Sequence, residues 1–124
     1  ARMGVRVIGE DEIDERGLAA CFAEAAAIVS GAANGFGITL DLDAFDPVAA
    51  PGVGSPEPEG LPAREVRDGL QRLAASGGLQ ALEIVEYNPD RDRHGITARL
   101  ISDVIGDLLP QIENRRPAAS QTRH

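Results

Sequence analysis

Phe36-Gly37-Ile38-Thr39-Leu40-Asp41-Leu42-Asp43 reads as a strand that begins apolar and ends in two acids one residue apart, before Pro47 prevents simple continuation. Strand side chains two apart share a face, with α-carbons roughly 6.5 Å apart, so Asp41 and Asp43 are expected to converge on a cation while Leu42 turns into packing. Hard carboxylate oxygens with no Lys or Arg on the strand favour Mg²⁺, Mn²⁺ or Ca²⁺. Upstream, Val5-Arg6-Val7-Ile8 is β-branched and bounded by Gly4 and Gly9, which predicts a first strand. Between the two, Asp14 is placed to cap a helix whose Leu18, Cys21, Phe22, Ala25, Ala26 and Val29 recur at helical spacing until Gly31 and Gly35 stop it.

Downstream, residues 44–61 carry Pro47, Pro51, Pro56 and Pro58 with Gly52, Gly54 and Gly60, too many breakers for a regular element and the length of a functional loop. Pro62 suits the first turn of a helix running through Glu65, Val66, Leu70 and Leu73 to Gly77-Gly78. Residues 79–85 predict a third strand followed by the acid Glu86. After a loop at 90–95, Leu100, Ile101, Val104, Ile105 and Leu108 mark a last amphipathic helix ending near 110–114. Strands alternating with helices predict an α/β fold, a three-layer αβα arrangement with a parallel sheet covered on both faces. In such sheets ligands sit beyond the carboxyl ends of the strands, where Asp41, Asp43 and Glu86 all fall.

At 124 residues the chain is one domain or part of one, with 1–114 forming the α/β unit and 115–124 a loose tail. No apolar run is long enough to cross a bilayer, so no membrane partner is expected. A net charge of −8 repels phosphate backbones, which argues against nucleic acid and favours cationic ligands. The single cysteine, Cys21, excludes a disulfide framework and fits a reducing, cytoplasmic setting. Ala1 begins neither with an initiator Met nor with a signal peptide, and the chain reads as starting in mid-protein.

The wider string from Ile38 to Leu61 contains Asp41-Leu42-Asp43-Ala44-Phe45-Asp46-Pro47, then Ala50-Pro51-Gly52-Val53-Gly54-Ser55-Pro56, then Gly60-Leu61. It resembles the ureohydrolase signature of arginases, agmatinases and formimidoylglutamases, S-x-D-x-D-x-x-D-P followed by A-P-G-x-G-[ST]-P and Gly-Leu. Thr39-Leu40 stands where that family has Ser or Phe before the first acid. A second string, Ile84-Val85-Glu86-Tyr87-Asn88-Pro89, resembles the family's V-E-x-N-P strand end, and Arg64-Glu65 fits the Arg-Glu opening the following helix in arginases. By this resemblance Asp41 and Asp43 are ligands of a paired Mn²⁺ site, and Asp46 fixes a turn rather than binding metal. Glu86 then faces the substrate guanidinium, with the Ser55 hydroxyl nearby as a further acceptor.

The implied chemistry is metal-assisted hydrolysis of a guanidinium C–N bond, with arginine converted to ornithine and urea favoured because the Glu86 motif is closest to its arginase form. Agmatine and formimidoylglutamate are the alternatives. No catalytic residue is assigned within this chain. The family's G-G-D-H-S and D-A-H-x-D segments, which carry the remaining ligands, have no counterpart here, so the resemblance implies the C-terminal half of a bacterial arginase. Alone, such a chain is expected to be a poor catalyst, an inactive fragment or an assembly module. The complete enzyme is expected to be a homo-oligomer, trimeric or hexameric, acting on a small guanidinium-type substrate. His94 and His124 belong to no ligand-spaced pattern and read as solvated surface residues. The D-x-D pair also matches phosphatases of the haloacid dehalogenase type, but these need a later Lys, and the chain has none.

Overall fold

The computed structural model describes residues 3–113; the 114 boundary, the tail at 115–124 and His124 lie outside the described residues. Its sheet consists of β1 (Phe36–Asp41) and β2 (Leu79–Val85), paired in parallel with Ile38 opposite Leu82, Leu40 opposite Ile84 and Asp41 opposite Val85. Alternation decides which face packs. Ile38, Leu40, Leu82 and Ile84 join the core, whereas Gly37, Thr39, Ala81 and Glu83 are exposed, so within the described residues one face of the sheet is packed and the other open. The α/β arrangement with a parallel sheet stands as expected.

The number of strands differs. Residues 4–9 form no regular element and pair with no strand among the described residues, and Val5 and Val7 are exposed. β-Branched composition favours a strand, but a ladder needs a partner edge, and among the described residues only β1 and β2 supply one to each other. The segment is held instead by charge. The Arg6 guanidinium donates to Glu12 at 2.9 Å and to Glu24 at 3.0 Å, and Arg16 donates to the same two carboxylates at 3.1 and 2.7 Å. Hydrogen bonds from Arg6 hold the Glu12 carboxyl down to about 2, and Glu24 is lowered by Arg6 and Arg16 in the same way.

The helix expected from Asp14 is two helices, α1 (Glu10–Arg16) and α2 (Leu18–Val29), and its cap is Gly9 rather than Asp14. Gly17 has φ 81 and ψ 150, a backbone no helix can contain and one that glycine adopts without a Cβ clash. Leu18 and Cys21 of α2 are buried, as a small apolar thiol on a packed face should be. α3 (Ala63–Ala75) starts after the extended Pro62 and buries Val66, Leu70, Leu73 and Ala74 at helical spacing. It stops where Gly77 and Gly78 take φ of 95 and 103. α4 (Ile96–Glu113) buries Leu100, Val104 and Leu108. Arg67 pins α3 to α4 with a two-pronged contact to Asp107, at 2.9 and 3.1 Å.

The breaker-rich loop is ordered because it carries part of the core: Phe45, Ala50 and Val53 are almost wholly enclosed. Its ends meet, with the Asp46 N–H donating to Leu61 O at 3.0 Å and the Leu61 N–H to Ala44 O at 2.8 Å. No helix among the described residues is long and apolar enough to cross a membrane.

Candidate active site

The carboxyl end of β1 does not continue as a strand to Asp43. At Asp41 the side chain accepts the Asp43 N–H at 2.9 Å, capping a single 3₁₀ turn at Leu42–Ala44. An aspartate that captures the amide two residues on offers the backbone a turn in place of a ladder, and here the turn wins. Leu42 still points into the core, 1% exposed. Asp41 is exposed and Asp43 half-buried. The two acids are therefore neighbours through a turn rather than through the pleat of one strand.

Asp43 carries an informative irregularity: its Oδ1 is buried without a hydrogen-bond partner among the described residues. A buried carboxylate oxygen left unpaired is costly, and such an atom fits a cation as its partner. Asp43 also lines an open acidic cleft of about 480 Å³ with Glu10, Asp14, Glu57 and Glu59. Among the described residues, no group of three or more His, Cys, Asp or Glu is gathered so as to hold a metal ion. Asp41 and Asp43 thus suit a hard divalent cation as part of a donor set. Asp46 takes no such place: its Oδ1 accepts the Val48 N–H at 2.8 Å and fixes the turn before the loop.

Glu86 follows β2 at the same carboxyl edge, one residue beyond the Asp41–Val85 pair, and is exposed. Its φ of 71 lies in the left-handed region, a conformation that costs a non-glycine residue about 1–3 kcal/mol and tends to persist at functional positions. Tyr87 then forms an antiparallel bridge with Val53, and the Asn88 N–H donates to Gly52 O at 2.7 Å, so the β2 end and the loop leading to Ser55 are stitched together. Ser55 itself is exposed on that loop. His94 is exposed too, in a 3₁₀ turn ahead of α4, with φ of 57.

Sequence reasoning passed over Asp92, read only as part of a loop. Its Oδ1 accepts the Thr97 N–H at 2.7 Å, and its Oδ2 accepts the Ala98 N–H at 2.9 Å and the Tyr87 hydroxyl at 2.8 Å. Burial works against the charge, but the amides of Ala98 and Thr97 and the Tyr87 hydroxyl outweigh it and keep the carboxyl below the ordinary aspartate range. An acid just ahead of an apolar-periodic helix was the available signal.

The sequence model of the arginase family matches residues 1–110. This chain belongs to the arginase family. Over 112 residues it is 44% identical to the arginase of Brevibacillus brevis, a match covering 87% of this chain and 38% of that protein. The crystal structure of Bacillus subtilis arginase superposes with a TM-score of 0.79 at 34% identity, over 86% of this chain and 38% of that one. Formimidoylglutamase from the same species gives 0.81 at 27% identity, over 90% and 35%. The chain thus spans well under half the length of the arginase-family relatives it matches, in keeping with one part of the arginase fold being present.

Proposed function

We propose that this chain contributes the D-x-D metal ligands and the guanidinium-facing acid of a manganese-dependent ureohydrolase, with arginine as the substrate and ornithine and urea as products. The observation that carries the reading is the unpartnered buried oxygen of Asp43 beside Asp41, at the edge where Glu86 also emerges. Asp41 and Asp43 would hold Mn²⁺, which when bound supplies Lewis acidity to the hydrolysis. Glu86 accepts hydrogen bonds from the planar guanidinium, a pairing that fixes orientation as well as charge. Ser55, on the loop tied to Tyr87 through Val53, offers a hydroxyl acceptor to the same ligand.

Arginine is favoured by the 44% identity to an arginase, with formimidoylglutamate the second reading because of the 0.81 superposition on a formimidoylglutamase. The site is completed by ligands that the described residues do not gather, so weak metal binding and negligible urea release are expected of this chain by itself. The complete enzyme is proposed to be a cytoplasmic homo-oligomer. Calorimetric titration with Mn²⁺ tests the ligand assignment: weak binding that disappears in both Asp41→Ala and Asp43→Ala supports it. Binding that survives both substitutions overturns it.

A further inference from the structure

Gly52 is gripped from both sides. Its N–H donates to Thr97 Oγ1 at 2.8 Å, and its carbonyl accepts the Asn88 N–H at 2.7 Å. A Cβ on Gly52 would lie 2.9 Å from both the Asp92 Cβ and Thr97 Oγ1, so the approach is as close as a backbone without a side chain permits. Thr97 is completely buried, and its own N–H is held by Asp92. Asp92 in turn receives the hydroxyl of Tyr87, which bridges Val53. The contacts close a ring: the loop at Gly52 and Val53, the start of α4, Asp92, and the turn after β2. Arg91 adds a second tie by donating to Gly54 O at 3.0 Å.

Glu86 is the residue immediately before this ring, and its backbone is left-handed. Left unsupported, such a residue relaxes toward φ < 0 and its carboxylate swings away. Among the described residues the exposed Glu86 side chain makes no hydrogen bond or ion pair that opposes that relaxation; the constraint comes from Tyr87 and Asn88, whose positions are set by the loop and by Asp92. We propose that Asp92 is a positioning residue: by holding Tyr87 Oη and the first amides of α4 together, it fixes the Glu86 turn and the loop leading to Ser55 as one unit. The proposal rests on the reading of Glu86 as the guanidinium acceptor. The charge state is consistent with it, since Asp92 stays ionised and its hydrogen bond raises the phenol of Tyr87 above the ordinary value.

The chain has one Tyr and no Trp, so its phenolate absorbance reports Tyr87 alone. The test has two arms on the intact 124-residue chain. In the first, the Tyr87 phenol is titrated spectroscopically; its midpoint should lie above the ordinary tyrosine value and move back toward it in Asp92→Asn. In the second, guanidinium chloride at non-denaturing concentration is titrated while the Glu86 amide is followed by NMR. Glu86→Gln should abolish the response, and Asp92→Asn and Tyr87→Phe should each weaken apparent affinity by about tenfold, the usual size of an effect relayed through a supporting hydrogen bond. Tyr87→Phe separates positioning from stability, because it leaves both α4 amides on Asp92. An unchanged phenol midpoint in Asp92→Asn overturns the proposal. So does wild-type guanidinium binding in Tyr87→Phe while Glu86→Gln has lost it. If Glu86→Gln binds like the wild type, the acceptor reading itself fails, and the proposal with it.

Discussion

Replacing Thr97 by Val tests the ring at its most enclosed point. Thr97 has no exposed surface, and its Oγ1 is the acceptor for the N–H of Gly52, which is itself buried. Valine matches threonine in shape, so the cavity stays filled and the Thr97 N–H to Asp92 is untouched. What changes is that the Gly52 donor loses its partner without gaining water, which costs about 1–3 kcal/mol. Serine keeps the acceptor and loses one buried methyl, about 1 kcal/mol. The expected order of stability is wild type, then Thr97→Ser, then Thr97→Val. With a urea slope near 2 kcal/mol per M, a loss of about 2 kcal/mol lowers the Thr97→Val midpoint by about 1 M. Urea unfolding followed by circular dichroism measures this, and hydrogen exchange at the Gly52 amide should accelerate in Thr97→Val alone. A Thr97→Val chain as stable as wild type, or less affected than Thr97→Ser, would refute the claim that this hydroxyl secures the loop.

Two further outcomes follow from strain and charge. Glu86→Gly relieves the left-handed backbone and sacrifices only an exposed side chain, so stability should hold or rise by up to about 1 kcal/mol while guanidinium binding is lost; a clear destabilisation would mean that the side chain has a packing role. Glu12 and Glu24 have folded-state values depressed from the ordinary glutamate value of 4.5, Glu12 to about 2. Their contribution is therefore present above about 4.5 and lost as pH falls toward 2, releasing residues 4–9 from α1 and α2. The backbone chemical shifts of Val5 and Val7 should move toward random-coil values over that window, and also in 1 M salt at neutral pH, where exposed pairs are screened. Shifts insensitive to both would place the restraint elsewhere.

The elements that could be read from sequence are those whose cause is local. Residues 79–85 and α3 emerge from apolar spacing and from punctuation by Pro62 and Gly77-Gly78, and the structure shows them at those positions. Val5-Arg6-Val7-Ile8 has equally strong strand composition, but pairing depends on an edge elsewhere, and no periodicity within the segment reports whether that edge exists. The helical spacing of Leu18 to Val29 does not report a break at Gly17, which only its backbone angles reveal. At the site, the positions of Asp41, Asp43 and Glu86 at strand ends were legible. The 3₁₀ turn was not, because apolar alternation through Leu42 does not report that the Asp41 side chain captures the Asp43 N–H and ends the ladder. The Asp92 ring was hidden for another reason: its key contact joins Gly52 to Thr97, 45 residues apart.

The central claim is that Asp41 and Asp43 present oxygens to a divalent metal at the strand edge where Glu86 emerges. Paramagnetic broadening of amide signals by substoichiometric Mn²⁺ tests it most directly. The account predicts that broadening is strongest at residues 41–44, extends to Glu86 and Tyr87, and vanishes in Asp43→Asn. Broadening centred instead on exposed acids such as Glu10, Glu57 or Glu59, and indifferent to Asp43→Asn, would contradict it.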